Sequence, residues 1–128
     1  MLLTPDQKNS ALMQVLDTSW GRASTSGAST QSFKCDIITN DVLRVRYTTV
    51  ICYDSSVTLN MQRERAVNES IRMTDSFMKN AKSQFNELTG ERISFKELKS
   101  TDGLEATSMS VSTPRKTAYY RRETFFTF

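Results

Sequence analysis

The stretch NMQRERAVNESIRMTDSFMKNAKSQFNEL, residues 60–88, decides the fold of this chain. Its apolar and small side chains recur at alternating spacings of four and three residues, at Val67, Ile71, Thr74, Met78, Ala81, Phe85 and Leu88. Three further apolar residues widen this stripe: Ala66, Met73 and Phe77. Such spacing places them on one face of a helix, and a stripe this wide favours packing on a sheet over the narrow seam of a coiled coil. The sequence therefore predicts a long helix that begins near Asn60 and ends before Gly90.

A shorter helix is predicted near the start of the chain. Thr4 and Gln7 have the spacing of a capping box, and Pro5 occupies the first helical position, where its missing N–H costs nothing. We expect this helix over residues 5–20. The next segment, GRASTSGASTQ at residues 21–31, has no large apolar side chain, so it is expected to be a flexible loop or an arm that orders only against a neighbouring subunit.

Alternating apolar and polar side chains predict a β-hairpin before the long helix. Its strands cover residues 32–38 and 42–53 and are joined by a tight turn. This register places Cys35 opposite residue 45, so Cys52 lies too far along the second strand for a disulfide. We therefore expect two buried, reduced thiols.

The rest of the chain predicts further strands. They are expected at residues 57–59, 93–95, 104–112 and 117–128, with turns at Asp102-Gly103 and Thr113-Pro114. Residues 1–128 are thus predicted to form a single α+β domain. Its antiparallel-rich sheet of five or six strands is packed by one long helix and a shorter N-terminal helix.

The composition excludes several classes of function. The chain has no histidine, which removes Ser-His-Asp and Cys-His catalytic sets and most zinc and haem ligand sets. Two cysteines cannot build a four-cysteine metal site, and neither glycine-rich phosphate-binding motif occurs. The acidic residues that lie close together in sequence fall at predicted helix ends or turns, where acids are normally solvated. We therefore expect a non-enzymatic protein with no catalytic residue, no metal and no cofactor.

The sequence gives no sign of a membrane location. No apolar run reaches the roughly 18–20 residues that a bilayer span requires. The opening MLLTPDQK has neither the basic nor the apolar part of a secretory signal. We expect no membrane partner and a cytoplasmic location where the protein is made.

The stretch YYRRETFFTF, residues 119–128, interleaves aromatic side chains with arginine, and the formal net charge of +3 falls entirely within the last sixteen residues. Tyrosine, phenylalanine and arginine are enriched at protein interfaces, which predicts an assembly interface. Its predicted members are Trp20, Tyr119, Tyr120, Arg121, Arg122, Phe125, Phe126 and Phe128. At an edge of the sheet this strand would expose apolar surface unless it were paired or covered. Deletion of residues 119–128 should then abolish assembly and leave most of the helix content.

A second interpretation of the same stretch remains open. Aromatic rings beside arginines can stack on single-stranded nucleic acid and neutralise its phosphates. The predicted contacts are then Arg115, Lys116, Arg121 and Arg122. Binding of this kind weakens steeply with salt, because each neutralised phosphate releases counterions.

In the order of its elements the chain resembles small tailed-phage virion proteins of the neck and tail-completion kind. The resemblance is carried by the capped helix at 4–20, the Ser/Thr-rich arm at 21–31, the long strand at 42–53, the helix that ends at residue 88 and the strand-rich remainder. It implies a homo-oligomer, arranged as a ring of identical subunits without catalytic residues. It also implies other structural proteins as partners and a final location in the virion.

Overall fold

The computed structural model describes residues 3–23, 32–39, 41–106 and 116–128, with the backbone alone at 17–23 and at 106. In chain order its elements are α1 (Pro5–Ala23), β1 (Ser32–Thr39), β2 (Val42–Tyr53), α2 (Ser56–Thr89), β3 (Lys96–Ala106) and β4 (Lys116–Thr127). The described strands form one antiparallel sheet in the order β1-β2-β4-β3. The predicted α+β fold with an antiparallel sheet is confirmed. The prediction of five or six strands is wrong, since the described residues contain four.

The long helix starts earlier than predicted because of a cap that lies upstream of Asn60. Ser55 accepts a hydrogen bond from the Thr58 N–H, and the Thr58 hydroxyl oxygen accepts one from the Ser55 N–H, which is a complete capping box. Val57 therefore lies in the first turn of α2, and the short strand predicted at residues 57–59 is wrong. Gly90 ends the helix as predicted, with a left-handed φ of 76° that disfavours any side chain.

The N-terminal helix begins as predicted and ends three residues later. The Thr4 N–H donates to Gln7 Oε1 at 3.0 Å, and the Gln7 N–H donates to Thr4 Oγ1 at 3.2 Å. Residues 21–23, predicted to belong to the loop or arm, are helical instead. The rest of that predicted arm, residues 24–31, lies outside the described part of the chain.

The strand β3 runs through the predicted turn and includes the start of the strand predicted at 104–112, whose remainder at 107–112 lies outside the described residues. Asp102 and Gly103 were expected to turn the chain, yet Gly103 lies within β3, paired with Arg121 of β4. Continuous pairing with β4 supplies more backbone hydrogen bonds than a local turn could, and this tertiary gain overrides the local preference. The segment at residues 92–95 precedes the strand and is not part of the sheet. The predicted turn at Thr113-Pro114 lies outside the described residues.

Both helices pack on one face of the sheet, where the core forms. The sheet contributes Phe33, Leu43, Val45, Tyr47, Ile51, Ala118 and Tyr120. The helices contribute Leu12, Val15, Leu16, Ala66, Met73, Phe77, Met78, Ala81 and Phe85. The buried side chains of β2 alternate along the strand, as its apolar and polar pattern predicts. Each large side chain buried here stabilises the fold by roughly 1.5–3 kcal/mol before entropy is counted.

The buried face of α2 is rotated from the predicted stripe. Ile71 and Leu88 belong to that stripe but are 38% and 48% exposed, whereas Ser70 is fully buried. The rotation follows from packing, because α2 contacts α1 as well as β2 and must present a surface to both. Ser70 tolerates burial since its hydroxyl donates to the Val67 carbonyl at 2.7 Å.

The cysteines follow the predicted register only in part. Cys35 pairs with Val45 across the hairpin, and both cysteines are free thiols, as predicted. Burial, with a smaller effect from Asp36, raises the pKa of the Cys35 thiol well above its usual range. Cys35 is only partly buried, and the expected burial of Cys52 is wrong, because its position in β2 directs it away from the helices and leaves it exposed.

Candidate interaction surface

No described helix covers one face of the sheet, which we call the outer face. Its side chains line up in rows that run across the strands. The first two of the four central rows are Asp36, Arg44, Phe125 and Lys99, and then Lys34, Arg46, Glu123 and Thr101. The last two are Ser32, Thr48, Arg121 and Gly103, and then Val50, Tyr119 and Glu105. None of these residues is buried. We call the first two rows the paired half and the last two the open half.

Folding concentrates the positive charge of the chain on this outer face. By strand register the face carries six bases, Lys34, Arg44, Arg46, Lys96, Lys99 and Arg121, and three acids, Asp36, Glu105 and Glu123. The remaining bases and acids of the sequence balance, so this face accounts for the formal net charge of +3. In sequence the excess falls in the last sixteen residues, whereas in the fold it comes from all four strands.

Among the described residues, five of the six charged side chains of the paired half, all but Lys34, contact a charged or aromatic neighbour on the sheet. Arg44 holds Asp36 through two hydrogen bonds, at 2.6 Å from Nη2 and 3.4 Å from Nε. This contact raises the pKa of the Arg44 guanidinium. Arg46 Nε lies 3.7 Å from Glu123 Oε1, and Lys99 Nζ lies 5.0 Å from the centre of the Phe125 ring. These groups have little left to offer a partner.

The open half carries an exposed aromatic ring and an uncompensated cation. Tyr119 is 52% exposed. Within the described part of the chain, the exposed Arg121 side chain has no ion pair and no hydrogen-bond partner. A Cβ placed on Gly103 would meet no atom within 4 Å, so a depression of about 600 Å³ lies over this glycine beside Arg121 and Tyr119. The open half is therefore the part of the sheet best suited to a contact.

The predicted interface residues are divided between the two faces of β4. Tyr119, Arg121 and Phe125 lie on the outer face. The helix-facing members are Tyr120, Arg122, Phe126 and Phe128. Trp20 lies in α1, in the part of the helix where the structure describes the backbone alone.

Tyr120 belongs to the core and not to a contact surface. It is fully buried, and its hydroxyl donates to Asp102 Oδ2 at 3.2 Å. Arg63 of α2 approaches the same carboxylate oxygen at 3.7 Å, so Asp102 joins β3 to the helix layer. Burial raises the pKa of Tyr120 to about 12, and the Asp102 carboxylate adds to that shift.

The two terminal aromatics also hold the fold together. Phe126 is half-buried against the core cluster. Phe128 packs edge-on against Phe95, with ring centres 6.3 Å apart, and Lys8 of α1 lies 5.7 Å from the Phe128 ring centre. These contacts tie the end of β4 to α1 and to the segment before β3.

The last strand has no unpaired edge within the described sheet. Strand β4 pairs with β2 on one side and with β3 on the other, so it is central. Deletion of residues 119–128 would remove Tyr120 and Thr124 from the interior. We now expect that deletion to unfold the chain, so it does not test assembly.

The four residues predicted for nucleic-acid binding do not form one cluster in the described chain. Arg115 lies outside the described residues. Lys116 is exposed at the start of β4, in the helix-facing row of Tyr53. Arg121 and Arg122 point to opposite faces of the sheet, because neighbouring residues of a strand alternate.

Sequence reasoning missed Gly103 and Glu105 as parts of a surface. Asp-Gly is the strongest short hairpin signal, so nothing local indicated that Gly103 faces Arg121 within a sheet. The exposed strand β3 also carries Lys96, Lys99 and an irregularity in register between Glu97 and Lys99. Such charges and bulges discourage uncontrolled pairing of a strand edge, which leaves the face of the sheet as the better contact surface.

No metal-ligand group of three or more cysteine, aspartate or glutamate side chains occurs among the described residues. Neither described helix combines the length and the apolar character that crossing a membrane requires. No protein-family model matches the chain, and no match is found among curated proteins or among solved structures.

Proposed function

We propose that this protein is a non-enzymatic assembly subunit that forms a homo-oligomer through the outer face of its sheet. The observation that carries the proposal is the open half, where Tyr119 and Arg121 are exposed beside the depression over Gly103 and have no ion-pair or hydrogen-bond partner within the described part of the chain. Tyrosine and arginine are the residue types most often found at the energetic centre of protein interfaces.

The rest of the molecule supports a contact role for this surface. The helix-facing side of the sheet is occupied by α1 and α2, and the strands hold the outer face on a fixed scaffold. Sheets that pack face to face bury such surfaces at a spacing of about 10 Å. A second subunit can therefore cover the outer face without any change in the fold.

We further propose that the assembly is a phage virion structure of the neck or tail, with other structural proteins as partners. The support is the order of elements, since a capped helix, a hairpin with a long second strand, a long helix and further strands follow one another along the chain. The acids of the paired half are held by arginines, which favours a structural over a catalytic role for them.

The solution mass tests self-association. Light scattering should give a multiple of the 14.6 kDa chain mass at low and at high salt. Tyr119→Ala should shift the mass towards the monomer. Leu98→Ala is a matched control, because Leu98 is also 52% exposed but lies at the irregular part of β3 outside the open half. A wild-type protein that stays monomeric at concentrations up to about 100 µM would contradict the proposal.

The charge of the outer face favours one alternative function, binding of single-stranded nucleic acid. Six bases on a sheet surface with an exposed tyrosine are the elements that such binding uses. Glu105 and Glu123 lie near Arg121 and oppose a polyanion there. A labelled oligonucleotide should distinguish the functions, because a steep loss of binding with salt, reduced in slope by Arg121→Ala, would favour the alternative.

A further inference from the structure

We propose that the open half is self-complementary, so that two copies of the chain pair face to face about a two-fold axis. Arg121 of each copy then binds Glu105 of the other, and the two Tyr119 side chains pack between these ion pairs. The inference rests on the proposed function, because it names the contact through which the subunits associate.

The first step of the argument is the arrangement of four residues on two neighbouring strands. Tyr119 pairs with Glu105, and Arg121 pairs with Gly103. Arg121 and Glu105 therefore occupy opposite corners of a four-residue block, about 7–8 Å apart along its diagonal. Tyr119 and Gly103 occupy the other two corners. The cation and the anion of this block form no ion pair with each other within 4.0 Å.

The second step is symmetry. In a face-to-face dimer the two-fold axis lies in the plane of the interface. A residue on the axis then faces the same residue of the other copy, and a residue on one side of the axis faces the residue at the equivalent position on the other side. An axis along the diagonal from Tyr119 to Gly103 brings Tyr119 onto Tyr119 and Gly103 onto Gly103. The same axis brings Arg121 over Glu105 twice. One block of four residues therefore supplies two ion pairs and an aromatic contact.

The third step is space. Gly103 has open room above its Cα, and the surrounding depression has a volume of about 600 Å³. Two glycines that meet at the axis let the two sheets approach closely enough for Arg121 to reach Glu105 and for the two Tyr119 rings to pack. A larger residue at this corner would separate the two sheets.

The available area also suits a dimer. Strands β2 and β4 have 12 residues each, and the sheet has four strands. The outer face therefore measures roughly 19 Å by 40 Å, or about 750 Å² in projection. A stable interface of standard size buries about 800 Å² on each partner, and the open half is about half of this face, so the contact has the smaller size that weak, transient associations use.

Charge complementarity selects a second copy over a polyanion as the occupant. Among the described residues, Arg121 is the only base that lines the depression, whereas Glu105 and Glu123 are acids on the same face that line it. A phosphate chain would meet repulsion from these carboxylates. A second copy carries one cation and one anion in the same arrangement, so it is attracted both at Arg121 and at Glu105.

Charge reversal and its rescue test the inference. Arg121→Glu and Glu105→Arg should each weaken association at least tenfold, because like charges then face each other twice across the axis. The double variant Arg121→Glu with Glu105→Arg should restore wild-type association, since both ion pairs reform with their signs exchanged. Light scattering measures association, and circular dichroism shows that each variant is folded.

A control comes from the paired half. Reversing Asp36 and Arg44, singly and together, should leave association unchanged. If the wild-type chain is monomeric, this inference and the proposed function both fail. If the chain associates but the single reversals have no effect, or the folded double variant stays monomeric, only this inference fails. Association that requires an added oligonucleotide would overturn it in favour of nucleic-acid binding.

Discussion

Two adjacent tyrosines of β4 show how differently the two faces of this sheet are built. Tyr120 is fully buried against the helices, whereas Tyr119 is 52% exposed on the outer face. Their chemistry and their local sequence are nearly the same. The difference comes from strand alternation together with helices that cover one face. On the covered face an aromatic ring stabilises the fold, and on the open face the same ring is available for a contact.

The largest effect is expected from Tyr120→Ala. Truncation of a fully buried aromatic side chain removes its burial and leaves a cavity, which costs roughly 3–5 kcal/mol of unfolding free energy. Urea unfolding followed by circular dichroism measures this loss. A loss below about 1 kcal/mol would show that Tyr120 does not serve as a core residue.

Tyr119→Ala should produce the opposite pattern. The free energy of unfolding of the monomer should change by no more than about 0.5 kcal/mol, because the side chain is exposed. Association should weaken at least tenfold if Tyr119 lies at the centre of the interface, which corresponds to about 1.4 kcal/mol. Light scattering and urea unfolding on the same samples separate the two effects. A variant that associates normally would remove Tyr119 from the contact.

Tyr120→Phe should have a smaller, pH-dependent effect. At neutral pH the variant loses the hydrogen bond to Asp102, which costs about 1 kcal/mol. The pKa of Tyr120 is raised from 10.0 to about 12 in the folded state. Its neutral form therefore stabilises the fold fully below about pH 10, and that contribution is lost as the pH rises towards 12.

The wild-type chain should consequently lose its advantage over Tyr120→Phe as the pH passes from about 10 to about 12. The unfolding free energies of both proteins should be measured at the same pH values. Their difference removes the contribution from lysines and other tyrosines, because those groups titrate in both proteins. An advantage that stays constant over this range would contradict a tyrosine kept neutral by burial.

The smallest effect is expected from Asp36→Asn in the paired half. This change breaks the ion pair with Arg44, but both side chains are partly exposed, so the cost should be below about 1 kcal/mol. Association should not change, because the paired half is outside the proposed contact. A loss of association in this variant would extend the interface across the whole outer face.

The sequence predicted local features of the fold well. The cap at Thr4, the stop at Gly90, the hairpin register of Cys35 and the alternating burial along β2 all depend on residues near one another in the chain. The alternation of Tyr119 and Tyr120 was also predictable. The identity of the buried side of β4 was not, because each side carries an arginine beside aromatic residues.

Features that depend on distant residues could not be read from the sequence. The central position of β4 comes from pairing with β2 and β3, and no local pattern encodes a strand order. Gly103 and Glu105 join Tyr119 and Arg121 only through that pairing. The sequence therefore predicted the part of the candidate surface that β4 supplies, with its aromatic ring and its cation, but not the part that β3 supplies.

The position of β4 has a consequence for the order of folding. This strand follows every other described element along the chain, yet it lies between β2 and β3. Its pairing with β2 joins residues as far apart as Val42 and Thr127, and the entropy of closing such a loop is lost before the contacts form. We expect the β1–β2 hairpin and α2 to form early and β4 to insert in a late, slow step. Until then β2 presents an unpaired edge, so the folding intermediate is the species most exposed to aggregation.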